Sequence, residues 1–384
     1  MELKILSNLK EIPRQDWNAL AMGDFPFAEY DYLSAMESGG CVGAEAGWIP
    51  RYLTLWEKER LLGATYLYIK DNSQGEFIFD WEWARAYARH GISYFPKLLS
   101  ASPFTPVTGP KLLLHPDAKA AEIAPRLIVA ARELCQAEGC SGLHFLYLTE
   151  EEVPWFEKAG ALIRHSYQFR WRNQGYRDFT EFLNSLRRKR RLQIARERRR
   201  VAELPLEIVT LSGTEIRPED LAAMIDFYQT TFIKKYCSPY LTPRFFQEIY
   251  ERMRDQLVLI MARSGKEWVA GSINYRKGAC LYGRYWGATV EYPNLHFDLC
   301  YYQTVEYAIR HGLQEVDAGA GMPHKIFRGF RPELVYSAHW IEHPAFRPAI
   351  AEYIEQEKEL IRSELEYAQE HDSFQKFKDE ETPL

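Results

Sequence analysis

The chain has 384 residues, a net charge of −5, 46% hydrophobic residues and 26% charged residues. This length suits two or three domains, and this composition supports large apolar cores and excludes general disorder. No apolar run approaches the roughly 20 residues that cross a bilayer, and the N-terminal sequence lacks a basic region followed by an apolar one. We therefore exclude the membrane-spanning class and the secreted disulfide-rich class, and we expect a cytoplasmic protein.

Cysteine spacing and short motifs exclude further classes. The six cysteines are Cys41, Cys135, Cys140, Cys237, Cys280 and Cys300. None belongs to a C-x-x-C pair, and no H-E-x-x-H pattern is present. We expect reduced, buried thiols and no metal site. The nucleotide-binding patterns G-x-x-x-x-G-K-[ST] and G-x-G-x-x-G and the nucleophile pattern G-x-S-x-G are also missing.

Apolar and polar residues alternate so as to predict both strands and helices in the first half of the chain. Strands are expected at 3–6, 52–56, 64–70, 142–148 and 163–171, and helices at 14–21, 28–38, 118–138 and 151–158. Between them, Phe77, Phe79, Trp81 and Trp83 alternate as in a strand that runs into a helix. Residues 101–110 are rich in proline and predict a rigid loop.

A polar helix is predicted over residues 179–202. Its basic part, residues 187–200, holds nine basic residues and one acid, and the rest of the chain carries a net charge of −13. The apolar pattern thins after Leu186, so we expect the basic half to be solvated. After it, strands are expected at 208–211, 256–262, 267–275, 280–285, 315–317 and 335–339, and helices at 218–232, 242–253, 298–311 and 348–368.

Both halves thus show the order strands, helix, strand, helix, strand. This order predicts an α/β (α+β) protein of two similar units, each with a mixed, mostly antiparallel sheet flanked by helices, and a basic helical arm. We predict an N-terminal domain at residues 1–173 and a C-terminal domain at residues 174–384. The second domain includes the basic helix and the last helix.

Residues 75–97 combine aromatic side chains with charged ones. They form either one wall of a substrate cleft or a core segment with amphipathic aromatics. On the first interpretation, Trp83, Tyr94 and Lys97 bind substrate.

A second candidate segment ends one strand and begins a helix. Arg284 and His296 lie there and are candidates to hold a phosphate or a carboxylate, because helix N-termini attract anions. Ordinary packing is the other interpretation, since Asp298 already complements the helix dipole.

A third candidate segment, residues 317–330, combines glycines with basic side chains. Gly319 and Gly321 allow close approach of a ligand to the backbone. A histidine at position 324 suits a base near neutral pH, and Lys325 suits stabilisation of developing negative charge. Arg328 adds a further cation. A glycine-rich turn with a solvated basic edge is the other interpretation.

Several stretches resemble motifs of the FemAB-like peptidoglycan biosynthesis/recognition family. In the first half they read F-P-F at 25–27, Y-D-Y-L at 30–33, G-E-F-I-F-D-W-E-W-A at 75–84, Y-F-P-K-L-L at 94–99 and P-F-T-P-V-T-G-P at 103–110. In the second half they read L-H-F-D-L-C-Y-Y-Q at 295–303, G-A-G-M-P-H-K-I-F-R-G-F at 319–330 and Y-S-A-H-W-I at 336–341. The basic helix is similar to a Lys/Arg-rich segment of the family.

The resemblance implies a pair of GNAT-like acyltransferase units. FemABX relatives move an amino acid from aminoacyl-tRNA onto a peptide amine of a peptidoglycan precursor, and a lysine in an F-K-x-x-F-G-like stretch assists them. That lysine corresponds to Lys325, which the resemblance makes the first catalytic candidate, followed by the neighbouring His324. Arg284, His324, Lys325 and Arg328 would form the polar centre of the site, with the acceptor in a cleft.

Two departures from the family pattern keep the donor open. The family often has Q-G-E-H-K where this chain has G-M-P-H-K, so Pro323 replaces the glutamate. Neither half has the Q/R-x-x-G-x-G/A loop that seats the pyrophosphate of acetyl-CoA in GNAT enzymes. The donor is therefore either aminoacyl-tRNA or acyl-CoA. Two other functions stay open: acyl-CoA-dependent N-acylation of a small amine, and recognition of a cell-wall precursor without catalysis.

Three interpretations of the basic helix also stay open. Its charge suits the phosphates of tRNA or another nucleic acid. Anionic lipid is a second partner, although the helix lacks a broad apolar face beyond Leu186. The third interpretation is a solvated arm that the acidic surface of the protein neutralises, with the C-terminal helix as one source of acids.

Overall fold

The computed structural model describes residues 1–234, 238–321 and 323–375. Its strands are β1 (Glu2–Leu6), β2 (Trp48–Glu57), β3 (Arg60–Lys70), β4 (Lys97–Ser100), β5 (Leu113–Leu114), β6 (Gly142–Leu148), β7 (Leu162–Arg172), β8 (Glu207–Ser212), β9 (Leu257–Ser264), β10 (Glu267–Lys277), β11 (Cys280–Ala288), β12 (Glu315–Asp317) and β13 (Arg331–Ile341). Its helices are α1 (Arg14–Leu20), α2 (Tyr30–Ser38), α3 (Trp81–Arg89), α4 (Ala120–Ala137), α5 (Val153–Lys158), α6 (Phe179–Ser185), α7 (Arg188–Ala202), α8 (Pro218–Ile233), α9 (Pro243–Met253), α10 (Leu295–Phe297), α11 (Gln303–Arg310) and α12 (Phe346–Glu370).

The chain forms two compact units. The first unit comprises the described residues of Met1–Tyr167, Tyr236–Gln256 and Leu334–Ser363, and the second those of Gln168–Lys235, Leu257–Glu333 and Glu364–Leu384. Strand β7 begins in the first unit and ends in the second. These units are defined by contacts and interleave along the chain, so the domain boundary at residue 173 stays a prediction.

The sheet of the first unit is mixed. Strands β1 to β4 pair antiparallel in sequence order, β4 pairs with β6 in parallel, and the end of β13 pairs antiparallel with β6. Helix α4 packs on this sheet through Ile123 and Leu127. Gly63 in β3 permits this approach, because a Cβ at Gly63 would lie 2.5 Å from Cγ2 of Ile123.

The sheet of the second unit repeats this arrangement. Strands β8 to β11 pair antiparallel, β11 pairs with β12 in parallel, and β12 pairs antiparallel with β7. Helix α8 packs against β10 and β11. The predicted fold class, with helices flanking mixed and mostly antiparallel sheets, is confirmed.

Of the strand predicted to run into a helix across Phe77–Trp83, the strand is wrong and the helix is present. Phe77 has a left-handed backbone with φ of 62°, and Gly75 has φ of 79°, so this segment cannot continue a strand. Helix α3 begins at Trp81. The Pro-rich stretch that follows is a buried loop, in agreement with its prediction.

The predicted continuous helix at 179–202 is also wrong, because the structure divides it into α6 and α7. Leu186 ends α6 with an extended backbone and forms a bridge with Phe374, and the amide of Arg187 donates to the carbonyl of Ser373 at 2.8 Å. A tertiary strand-like contact therefore replaces the helical hydrogen bonds at this position.

Five cysteines of the described residues are free thiols, of which Cys300 is half-buried and the others are buried. Cys237 lies outside the described residues. Among the helices described, none combines the length and the apolar composition that a membrane span requires.

Gly287→Ala tests the close packing of α8 on β11. A Cβ at Gly287 would lie 1.9 Å from the carbonyl oxygen of Phe227, a backbone atom of α8. We expect a loss of about 3 kcal/mol in the free energy of unfolding, because backbone cannot move aside as a side chain can. Denaturant unfolding measures it. The control is Gly283→Ala on the same strand, where the nearest atoms lie 3.4 Å away. Equal unfolding midpoints for the two variants would contradict the packing argument.

Candidate functional site

The candidate site of the second unit lies where β11 and β12 separate. The two strands pair in parallel from Cys280 to Tyr282, opposite Glu315 to Asp317. Strand β12 ends at Asp317, whereas β11 continues for six more residues to Ala288. The residues after Asp317 form the glycine-rich loop, which comprises residues 318–321.

Asp317 fixes this fork through a buried ion pair. Its Oδ1 accepts hydrogen bonds from Nη1 of Arg284 at 2.8 Å and from the amide of Gly319 at 2.8 Å. Burial opposes ionisation, but the guanidinium groups of Arg284 and Arg170 outweigh it and lower the pKa of Asp317. The carboxylate therefore stays charged at neutral pH and holds the start of the loop.

Lys325 holds the rest of the glycine-rich loop through its side chain. Its buried Nζ donates to the carbonyl oxygens of Ala318, Gly319 and Ala320 at 2.8, 3.0 and 2.9 Å. These bonds account for all three protons of the ammonium group. A Cβ at Gly321 would lie 3.0 Å from this Nζ, and Gly321 has φ of 146°, so glycine is required there. Burial lowers the pKa of Lys325 to about 8.

His324 is half-buried beside the loop. Its Nε2 lies 3.2 Å from the hydroxyl of Tyr301, and its ring packs against Phe297 and Tyr301. Burial and the charges of Arg328 and Lys325 lower its pKa below 6.5. His324 is therefore neutral at pH 7 and keeps a lone pair that can accept a proton.

Arg328 connects the site to the basic helix. Its Nη2 donates to both carboxylate oxygens of Glu197 in α7, at 3.2 and 3.0 Å, and its Nη1 donates to the carbonyl of His324 at 3.0 Å. The guanidinium also lies over the ring of Phe297, 3.6 Å from its centroid. Glu197 accepts a further bond from the hydroxyl of Tyr302. Arg328 thus positions this region through both of its terminal nitrogens.

Arg284 and His296, the predicted anion-binding residues, have different neighbours. Arg284 is occupied by Asp317 and by the carbonyl of Gly283 at 2.7 Å. His296 packs edge-on against Trp286, 5.2 Å between centroids. Burial, followed by the charges of its basic neighbours, lowers the pKa of His296 to about 4. A neutral His296 offers an anion a hydrogen bond but no charge, and anion binding by this pair stays a prediction.

The structure places the three other predicted binding residues in the interior of the first unit. Lys97 donates to Ser73 at 3.2 Å, to Glu76 at 2.8 Å and to Asp80. Tyr94 donates to the same Asp80 at 2.6 Å. Their roles in substrate binding stay predictions.

Trp83 closes this buried network. Its ring packs edge-on against His339, 5.0 Å between centroids, and Nδ1 of His339 lies 2.9 Å from Nδ1 of His144. Burial lowers the pKa of both histidines, so both are neutral and one donates to the other. Trp83 is 2% exposed, Tyr94 4% and Lys97 0%. Any contact of theirs with a substrate requires movement of the side chains that cover them.

Sequence reasoning missed Glu197 and the histidine pair. One signal for Glu197 was present, because it is the single acid among nine basic residues of 187–200. A lone acid within a run of cations indicates that the acid has a specific partner. The structure identifies this partner as Arg328. No sequence spacing pairs His144 with His339, because they lie 195 residues apart on β6 and β13.

Helix α7 has one buried and one exposed face. Ile194, Glu197 and Val201 face the interior. The exposed cations of the helix are Arg188, Lys189, Arg196, Arg199 and Arg200, with Arg191 half-buried. We call these six residues the basic face. The predicted solvation of the basic half is therefore confirmed for this face.

The opposite side of α7 contacts acids of the same unit. Arg198 pairs with Asp298 at 3.3 Å and with Glu306 at 2.8 Å. Arg199, on the basic face, lies 3.8 Å from Glu203 in an exposed pair that contributes little. Within the part of the chain that the structure describes, no group of His, Cys, Asp and Glu side chains is arranged to hold a metal ion.

The comparisons with known proteins agree with the motifs. The model of the FemAB-like family, described as peptidoglycan biosynthesis/recognition, matches residues 8–376. The chain is similar in structure to a FemX protein, with 12% identity, 91% of this chain and 100% of that chain covered, and a TM-score of 0.54. None of the curated protein sequences compared with this chain matches it significantly.

Two further solved structures share the fold. One is the C-terminal domain of a putative lysylphosphatidylglycerol synthetase from Agrobacterium fabrum, with 10% identity, 86% and 92% of the two chains covered, and a TM-score of 0.53. The other is L-PGS from Bacillus licheniformis, with 9% identity, 87% and 95% covered, and a TM-score of 0.51. At these identities the likeness establishes the fold alone. The family resemblance read from the motifs is confirmed.

Lys325→Met tests whether the lysine shapes the glycine-rich loop. The substitution leaves three carbonyl oxygens without their donor, so we expect a loss of about 1–3 kcal/mol in the free energy of unfolding. Chemical denaturation measures it, with Lys266→Met, an exposed lysine of the same unit, as the control. Unchanged stability of Lys325→Met would mean that the three bonds from Lys325 to the loop contribute nothing to the stability of the folded state.

Proposed function

The chain belongs to the FemAB-like family, and from that premise we propose that it transfers an aminoacyl or acyl group to an amine of a peptidoglycan-precursor-type peptide. The observation that carries the proposal is the placement of His324 beside a glycine-rich loop held by Lys325 at the fork of β11 and β12. A neutral base and a buried cation beside a preorganised loop are groups that promote acyl transfer to an amine.

The proposed reaction is attack of a neutral amine on the carbonyl carbon of an ester or thioester. The new carbon–nitrogen bond forms and the carbon–oxygen or carbon–sulfur bond breaks. The attacking nitrogen loses one proton, and the departing oxygen or sulfur gains one. His324 accepts the proton from nitrogen, because its lowered pKa keeps its imidazole neutral at pH 7.

Lys325 supplies positive charge to the oxyanion in this proposal. In one arrangement its charge attracts the oxyanion across the loop that it holds. In the other, its Nζ releases one of its three carbonyl partners and donates to the oxyanion instead. Low exposure strengthens either interaction, since Lys325 is 2% exposed.

An aminoacyl ester is favoured over a CoA thioester as the donor. The helix after β11 has only three α-helical residues before a π-helical segment, and Asp298 in that segment is buried near its start. Asp298 already complements the positive end of this helix, which leaves less attraction for a pyrophosphate there.

The basic face of α7 gives an aminoacyl-tRNA donor a place to bind. Six cations lie on one side of a 15-residue helix, while its other side is fixed by Glu197. Arginine and lysine side chains presented in this way contact phosphates with little rearrangement. Leu192, the exposed apolar residue of the helix, is too small a patch for stable membrane binding.

Recognition without catalysis is the second candidate function. It is favoured by the resting state of Lys325, whose protons are all donated to carbonyl oxygens. A recognition protein would bind the precursor peptide and never consume a donor. Mass spectrometry of the peptide after incubation with charged tRNA or acetyl-CoA distinguishes the two functions, because only transfer adds mass at the peptide amine.

His324→Ala tests the proposed base. We expect kcat for transfer to a precursor peptide to fall on the order of 100-fold, the usual effect of removing a general base. The wild-type rate should also fall more steeply below the lowered pKa of His324, at a pH under 6.5, as the imidazole becomes protonated. The variant should lose this additional fall. The rate at which a labelled amino acid is transferred from tRNA to the peptide, recorded across a pH series, measures both kcat and the pH profile.

The matched control is His311→Ala, an exposed histidine that directly follows α11 in the same unit. A His324→Ala enzyme with the wild-type rate and pH profile would remove His324 from the proposed reaction while leaving the transfer itself in place.

Charge reversal on the basic face tests tRNA binding. The triple variant Arg188→Glu/Arg196→Glu/Arg200→Glu removes three exposed cations without touching the buried face. We expect tRNA affinity to fall at least tenfold at moderate salt. The slope of log affinity against log salt should also decrease by about 2–3, close to one unit per lost phosphate contact. Filter binding across a salt series measures both quantities.

The control for this experiment carries the same change of charge in the first unit, as Arg89→Glu/Lys119→Glu/Arg126→Glu, all at exposed positions. Equal losses in the two triple variants would indicate that net charge alone governs binding and that α7 has no special role.

A further inference from the structure

The first unit exposes an aromatic pair that the buried network does not use. Phe79 is 41% exposed and Trp81 is 51% exposed. Their rings stack nearly parallel, with centroids 4.1 Å apart and an interplanar angle of 21°. Trp83 belongs to the same aromatic segment but points into the core. We call Phe79 and Trp81 the aromatic platform.

The backbone that carries the platform is fixed by buried charges. The carbonyl of Phe79 accepts from Nη1 of Arg164 at 2.9 Å, and Arg164 forms two 2.7 Å bonds with the carboxylate of Glu357. Asp80, between the two platform residues, is held by Ser73 at 2.5 Å. A stacked pair on such a backbone loses little conformational entropy when a ligand binds.

Further bonds to Asp80 remove its remaining freedom. Lys97 and the hydroxyl of Tyr94 both donate to its carboxylate. The left-handed backbone of Phe77 adds a conformation that non-glycine residues rarely adopt. The network that contains the predicted binding residues therefore supports the platform from inside.

We propose that the aromatic platform binds a pyranose ring of the glycan part of a peptidoglycan precursor. The family match to peptidoglycan biosynthesis/recognition provides a glycan-bearing ligand class. The proposal rests on the proposed function only in the nature of the acceptor, a peptidoglycan-precursor type molecule.

The chemistry of the platform suits a sugar ring. The flat face of an aromatic ring carries partial negative charge and attracts the polarised C–H groups on one face of a pyranose. The rim supplies partners for hydroxyl groups, because Glu82 and Arg85 are exposed and lie 3.1 Å apart. Their charges balance, whereas a surface that binds anionic lipid carries an excess of cations.

Saturation-transfer NMR with the disaccharide N-acetylglucosaminyl-N-acetylmuramic acid tests the proposal. We expect the wild-type protein to transfer saturation to the ring C–H protons of the disaccharide. Trp81→Ala should weaken binding at least tenfold, and Phe79→Ala should weaken it severalfold, because one stacking face remains. A thermal unfolding curve checks that each variant keeps its fold, as expected for exposed side chains.

The chain offers a matched control in a second exposed stacked pair. Tyr367 is 61% exposed and stacks on His371 with centroids 3.9 Å apart, but these residues are held only by their own helix turn. Tyr367→Ala should bind the disaccharide as the wild-type protein does. Equal binding by Trp81→Ala and Tyr367→Ala would overturn the proposal, as would binding of the platform to vesicles but not to the disaccharide.

The outcome is independent of catalysis, since no donor is present. Disaccharide binding that requires Trp81, in a protein that transfers nothing from any donor, would retain the platform and reject the transferase. Transfer to a free precursor peptide by a protein that does not bind the disaccharide would retain the transferase and reject the platform.

Discussion

A buried ammonium group is stable only when acceptors surround its protons, and four lysines of the described residues are buried in this way. Lys70 donates to the side chain of Asn72 and to the carbonyl of Gln74. Lys325 gathers the carbonyls of the glycine-rich loop, and Lys97 gathers two carboxylates and a hydroxyl. Lys111 gathers the carbonyls of Gly109 and Tyr147. Apart from Tyr147, which lies in β6, these acceptors belong to irregular segments that have no strand or helix to order them. Lys325 and Lys97 therefore shape the segments that carry candidate functional residues.

The single acid of the basic stretch links two parts of the second unit. Glu197 is buried in α7 and binds Arg328, which in turn binds the carbonyl of His324. The cations on the opposite face are left to the solvent. The helix thus satisfies two demands, since its inner face positions the proposed base and its outer face keeps charge available for a phosphate ligand. The side of the helix on which a residue lies decides whether it positions the base or contacts solvent.

The sequence allowed prediction of most strands and helices, because burial of one face imposes a regular alternation. It did not reveal the break at Leu186, which depends on a bridge to Phe374 far along the chain. Nor could strand alternation show that Trp83 is buried while Trp81 is exposed, since both lie in α3, where residues two positions apart point to opposite sides of the helix. The motifs located the segment of the candidate site, but the partners of its charges come from distant strands and helices.

Pro323 stands where the motif that this loop resembles often has a glutamate, so the proposed base must be another residue of the segment. In the proposed reaction a base must accept the proton of the attacking amine. Asp317 is a poor acceptor, because Arg284 and Arg170 hold it as a carboxylate and lower its pKa. Lys325 is a donor to three carbonyls. His324 is neutral, half-exposed and directly before Lys325, so it combines the required lone pair with access to a ligand. A neutral imidazole in this role adds no negative charge beside the oxyanion.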